Sequence, residues 1–339
     1  MAFDAFTPDS PMFQRFRFAA ALAVLSSCLF ALPALAQEWP QAGKTIQLIV
    51  PAPGGSGTGD TIARVLAEEL QSRLKATFVV DNKAGANGNI GASAAAATAG
   101  DGYHFLFSWA GTLAVNKALY KNLSFDAQKD FVPILLVADV PNILVVNNDI
   151  PAKDLADFER YAKANPGKLN FGSAGNGSAT HMNAEKFRAS AGFEAAHIPF
   201  KGTPEALSEV MSGRLDFFFA PIVSALQLIR EGKVVALAVG TAKRSALLPD
   251  IASTVELGYP DSDFNFWVGL FAPAKTPRDV VNRMSQEVAK ALESMEVRDR
   301  YAGLGAEALP MKPDEFDAYV KSEIETNARI VRAAGIKVQ

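Results

Sequence analysis

Two glycine-rich turns decide the reading of this chain: Pro51-Ala52-Pro53-Gly54-Gly55-Ser56-Gly57-Thr58-Gly59-Asp60 and Phe171-Gly172-Ser173-Ala174-Gly175-Asn176-Gly177-Ser178-Ala179-Thr180-His181. Each leaves an apolar run and enters a helical one. The first follows the strand-like Ile46 to Val50 and opens a helix from Asp60 to Leu74 with an apolar stripe at Ile62, Leu66, Leu70 and Leu74. The second follows Leu169 to Phe171 and opens a helix near Ser178. Glycines between strand and helix let the backbone approach a ligand, and the helix start adds about half a positive charge. Such turns are anion sites. Neither turn carries Lys or Arg up to Asp60 or Thr180, so amides and hydroxyls would hold the anion, which favours a carboxylate over a phosphate. The plainer reading is that glycine turns end parallel strands in many α/β proteins.

Working outward, short apolar strands alternate with helices. Ile46 to Val50, Thr77 to Val80 and His104 to Ser108 read as strands, separated by helices at Asp60 to Leu74 and Gly88 to Ala99. This is the rhythm of a parallel sheet. Its ligand edge lies beyond the strand C-termini, where the first turn, the loop Asp81 to Gly88 with Asn87, and Ser108-Trp109-Ala110-Gly111-Thr112 meet. A first crossing between domains is expected within Phe131 to Asn147. A second series follows: helix Leu155 to Ala164, the second turn, strand Ala195 to Pro199, a helix capped by Thr203, strand Leu215 to Phe219, helix Val223 to Glu231 and strand Val234 to Val239. Asn265 to Phe271 returns the chain, and helices complete it. The expected division is residues 37–142 with 263–339 as one discontinuous domain and 143–262 as the other, facing each other across a cleft that closes by hinge motion.

At 339 residues, 49% apolar and 20% charged, the composition is globular, and the net charge of −3 gives no basic field for nucleic acid. Residues 1–36 read as a secretory signal peptide: Arg15 and Arg17, an apolar run from Phe18 to about Leu32, then Ala34-Leu35-Ala36 before Gln37. Cleavage after Ala36 is expected, with translation starting at Met12 rather than Met1. Leu25-Ser26-Ser27-Cys28 also fits a lipoprotein box. Cys28 is the only cysteine, so the chain after Ala36 holds no disulfide or thiolate site.

Catalytic motifs are sparse. Asp60 and Thr61 stand where a phosphate-binding loop needs lysine, and no Gly-x-Ser-x-Gly elbow occurs. His104, His181 and His197 lack metal-ligand spacing, and His104 and His197 read as structural. His181 is either loop support or a ligand contact; a Ser178–His181 hydrolytic pair is the enzymatic alternative, without an evident orienting acid. Trp109 is a candidate ligand wall. Phe217 and Phe219 share one strand face while Phe218 takes the other.

The chain resembles the extracytoplasmic solute receptors of the tripartite tricarboxylate transporter family, the Bug receptors. The matching stretches include Ile46 to Pro51 with Pro53-Gly54-Gly55, Asn87-Gly88-Asn89-Ile90-Gly91, Asp101-Gly102-Tyr103, Ala162 to Lys168, Gly172 to Ser178 with His181, Pro199-Phe200-Lys201-Gly202 and Leu237-Ala238-Val239. The resemblance implies an α/β fold of the two-domain periplasmic binding protein type II kind, a Venus flytrap with two interdomain crossings. It further implies a periplasmic protein that delivers a small carboxylate to the large and small membrane subunits of a transporter; with catalytic motifs so sparse, a monomer without cofactor or catalysis is expected. By the same resemblance, Gly54, Gly55 and Ser56 face Ala174, Asn176, Gly177 and Ser178 across the ligand; from the loop and strand reading, Asn87, Ser108, Trp109, His181 and Phe219 are expected nearby. Ala220 stands where several relatives carry an acid that pairs with an amino-acid ligand. A di- or tricarboxylate or an aromatic, phthalate-type acid is therefore expected. A carboxylate sensor feeding a membrane kinase is the third reading.

Overall fold

The computed structural model describes residues 39–55 and 57–336; the expected signal peptide, Cys28 and Ser56 lie outside the described residues. From Ala42 onward the chain packs as one compact unit containing two sheets. The first has the order β11-β4-β10-β3-β1-β2 and the second β7-β6-β8-β5-β9. Strands β1 (Thr45–Val50), β2 (Thr77–Asn82) and β3 (His104–Trp109) are parallel, as their alternation with helices requires. Their C-terminal ends therefore share one edge.

Helix α1 (Gly57–Leu74) joins β1 to β2, and a 3-10 turn (Ala86–Gly88) with α2 (Asn89–Ala96) leads to β3. After β3 come a π turn (Gly111–Val115) and the short α3 (Asn116–Leu119). The chain then runs along β4 (Phe131–Val140), antiparallel to β10 (Phe266–Pro273), and passes through Pro141 into β5 (Asn142–Val146) of the second sheet. There α4 (Leu155–Ala164), β6 (Leu169–Ser173), α5 (Ala179–Ala191), β7 (Ala195–Pro199), α6 (Thr203–Met211), β8 (Phe217–Pro221), α7 (Ile222–Arg230) and β9 (Val235–Val239) follow. Sheet membership changes back between Val239 and Phe266, after which edge strand β11 (Glu307–Met311) completes the first sheet and α8 (Arg278–Glu293), α9 (Met295–Gly303) and α10 (Pro313–Ala333) pack around it.

Alternation along β8 splits the second core as expected. Phe217 and Phe219 pack with Phe158, Phe171 and Phe187 on one face, while Phe218 and Ala220 pack with α6 and α7 on the other. Each such phenylalanine contributes roughly 2 kcal/mol by burial. The core of the first sheet, around Trp267, Phe316 and Leu106, also takes in Ala179 and Met182 of α5. The helix that opens at the second glycine turn thus packs on both sheets.

Several boundaries differ from expectation. Strand β8 begins at Phe217 rather than Leu215, because the amides of Leu215 and Asp216 bond to Glu209 and Asn170. Helix α6 has Gly202, not Thr203, before its first turn, with no side-chain cap. Strand β11 was not anticipated; Pro310 and its mostly exposed surface obscure the pattern.

Candidate functional site

The first turn is built around a buried carboxylate. Asp60, 1% exposed, accepts from the Gly55 amide at 2.8 Å and Asn82 Nδ2 at 2.7 Å, and from Arg64 Nε at 2.9 Å and Nη2 at 3.3 Å. Burial alone would raise its pKa; the bonds from Arg64, Asn82 and Gly55, with the Arg64 charge, outweigh it and hold the carboxyl below the usual range. Arg64 also donates to Asn82 Oδ1 at 2.7 Å. A guanidinium therefore does lie under the turn, one helical turn beyond the stretch that lacks basic residues. Asp60 neutralises it, leaving the helix end as the attraction for an anion. Gly55 is exposed with φ +70°, and nothing lies within 4 Å of where a Cβ would stand.

The neighbouring loops converge on this turn. The half-buried Trp109 lies against Gly59 of α1, where a Cβ would be 3.0 Å from Cζ3, and meets Phe266 edge-on at 6.1 Å. Asn87 adopts a left-handed backbone, φ 52°, fixed by an amide network: its Nδ2 donates to Asn116 Oδ1 at 2.6 Å. Asn116 Nδ2 donates to Asn87 O at 2.9 Å and Asn89 Oδ1 at 2.6 Å, and Thr112 Oγ1 to Asn87 O at 3.1 Å. Gly88 must be glycine, since a Cβ would come within 2.3 Å of Thr112 Oγ1. Ser108 is fully buried, and its Oγ has no partner among the described residues.

The second turn abuts the same group. A Cβ on Gly177 would lie 3.1 Å from Asn87 Nδ2 and 2.3 Å from Leu119 Cδ1, and one on Gly111 would lie 3.2 Å from Gly177 O and 3.6 Å from Trp109 Cδ1. Contact therefore runs from Gly59 through Trp109 and Gly111 to Gly177. The structure brings together both turns, Asn87 and Trp109.

Three expected roles change. The amides of Gly55, Ala174 and Gly177, expected to face the ligand, are taken internally by Asp60, by Thr180 Oγ1 at 2.9 Å and by His181 Nδ1 at 3.1 Å. Exposed Asn176, with no hydrogen-bond partner among the described residues, is the group of the second turn left to reach outward. Phe219, expected beside the ligand, is fully buried in the core against Phe187 at 5.7 Å, because its strand position shares the inner face with Phe217. Ser178 and His181 form no nucleophile–base pair. Ser178 Oγ instead accepts the His181 main-chain amide at 3.3 Å as a helix cap and lies 3.0 Å from Thr180 Oγ1, while His181, 1% exposed, supports the turn.

Asp60, Arg64, Asn82 and Asn116 escaped the sequence reading. Asp60 and Arg64, spaced i and i+4 on one helix, carried a signal for an ion pair; the Asn116 contact depends on tertiary packing.

The sequence profile described as tripartite tricarboxylate transporter family receptor (TctC) matches residues 62–336. Among solved structures, the fold superposes on the periplasmic binding protein BugD with a TM-score of 0.76 at 32% identity, covering 88% of this chain and 100% of that one. Rpa4515 of R. palustris, solved with adipate, gives 0.79 at 31% identity, covering 88% and 99%. MatC (Rpa3494) from Rhodopseudomonas palustris, with bound malate, gives 0.75 at 31%, covering 86% and 100%.

Proposed function

The chain belongs to the tripartite tricarboxylate transporter receptor family, whose members are periplasmic solute-binding proteins, and from that premise we propose that it captures a small dicarboxylate between its two glycine turns and delivers it to a transporter of large and small membrane subunits. The observation that carries this reading is the convergence of two helix starts, α1 behind Gly55 and α5 behind Gly177, on Trp109 and Gly111. Each start offers about half a positive charge. With Arg64 neutralised by Asp60, these ends and the Asn176 carboxamide receive the carboxylate.

The relatives solved with adipate and malate support an aliphatic diacid. Removing Phe219 from the wall weakens the aromatic reading, and the half-buried Trp109 ring is the feature that keeps a phthalate-type acid as the second choice. Binding needs no catalytic group.

The test is thermal unfolding of the chain from Gln37 against aliphatic, hydroxylated, amino and aromatic carboxylates. A diacid at about 100 times its dissociation constant adds about 2.7 kcal/mol, raising the midpoint by a few degrees. A rise with adipate or malate is expected. A rise confined to amino acids, or none with any carboxylate, would overturn the reading.

A further inference from the structure

Behind the second turn, two histidines far apart in sequence lie face to face. The rings of His181 on α5 and His197 on β7 are 3.7 Å apart and 11° from parallel, and Phe171 stacks on His197 at 5.0 Å. Each ring holds a different part of the turn. His181 Nδ1 accepts from the Gly177 amide at 3.1 Å. His197 Nε2 lies 2.7 Å from Ser173 Oγ, which donates to Gly175 O at 3.1 Å and accepts from Gly175 N at 3.1 Å. Ser173 thus ties the His197 ring to the Gly175 backbone. His181, accepting at Nδ1, turns Nε2 toward Glu185 Oε1 at 3.7 Å. The charged groups facing the pair are Glu185, 5% exposed, and Arg188, whose Nη2 donates to Glu185 at 2.6 Å. Burial, with His181 adjacent, pushes the His197 pKa down to about 3, so this ring stays neutral.

We propose that His181 and His197 are positioning residues that set the shape of the second glycine turn, and that removing the Nδ1 acceptor of His181 frees the Gly177 amide and lowers carboxylate affinity. This deepens the binding reading and rests on it. The two stacked rings hold the turn at two points, Gly177 through His181 and Gly175 through His197 and Ser173, so losing either hold loosens the turn.

The test measures adipate and malate binding at one pH in the wild type, His181→Asn and His181→Ala. Asparagine keeps an acceptor for the Gly177 amide and alanine does not. His181→Asn should bind close to the wild type and His181→Ala about tenfold more weakly, the loss of one hydrogen bond to the turn. Equal weakening by asparagine and alanine, or none by either, would overturn the proposal. The Gly177 amide resonance, read without ligand, decides independently: it should stay near its wild-type position in His181→Asn and move in His181→Ala. If it moves while the wild type binds neither diacid, the positioning role stands and the dicarboxylate reading falls. If it stays still in His181→Ala, the positioning role falls whatever binds.

Discussion

Asp60→Asn should destabilise the protein by about 2–4 kcal/mol at pH 7 and weaken carboxylate binding, although the side chain keeps its shape. The cause is the number of donors converging on one carboxylate. Oδ2 accepts from Gly55 N and Arg64 Nε, and Oδ1 from Asn82 Nδ2 and Arg64 Nη2. Whichever oxygen becomes an NH2 group, two donors lose their acceptor and Arg64 loses its counter-charge. Because the folded pKa of Asp60 is depressed, its contribution is present above the unfolded value and disappears as pH falls through the folded one. Denaturant unfolding of both proteins should therefore show a gap at pH 7 that narrows below about pH 4. An equal midpoint at pH 7 would remove Asp60 as the anchor of the first turn.

The same substitution at Asp139 should act in the opposite direction. Asp139 on β4 pairs with Trp267 on β10 and Glu307 on β11, and its Oδ1 has no partner among the described residues. Burial first, then the charges of Glu307 and Glu323, push its pKa from 3.8 up to about 7. A carboxyl raised in the fold costs stability once pH exceeds its unfolded value, and the cost grows until pH passes the folded one. The displacement corresponds to about 4 kcal/mol at most. Asp139→Asn removes the ionisable group without changing its volume. A gain of about 2–4 kcal/mol is expected at pH 8, shrinking to nothing near pH 4. A pH-independent difference, or a loss at pH 8, would contradict the assignment. The buried Asp60 and the half-buried Asp139 thus respond oppositely to one isosteric change, because one is ringed by donors and the other lies beside two acids.

The parallel strands β1 to β3, helices α1 and α4, the change of sheet near Pro141 and the two glycine turns could all be read from the sequence, because apolar periodicity and glycine placement are local signals. The π turn at Gly111–Val115 could not, since all five residues are buried and leave no amphipathic stripe. Phe219 was misread for a related reason. Alternation along β8 gave its face relative to Phe217, but not whether that face met the cleft or the core. The fate of the turn amides was equally hidden, since the helix-start pattern of Gly55 and Gly177 does not reveal that Asp60 and His181 fold back onto them. Asn116 and the His181–His197 stack bring together residues distant in the chain, joined by packing alone.

The most direct measurement is calorimetric titration of adipate and malate into the wild type, Gly55→Val and Gly177→Val. Both glycines have positive φ, +70° and +75°, which a β-branched residue rarely adopts. At Gly55 the added side chain meets open space and acts through the backbone, whereas at Gly177 it also meets Leu119. Binding of at least one diacid by the wild type, lost in both variants while each still unfolds cooperatively, is the expected result. Unchanged affinity in both variants would place the carboxylate away from the two turns and contradict the central claim.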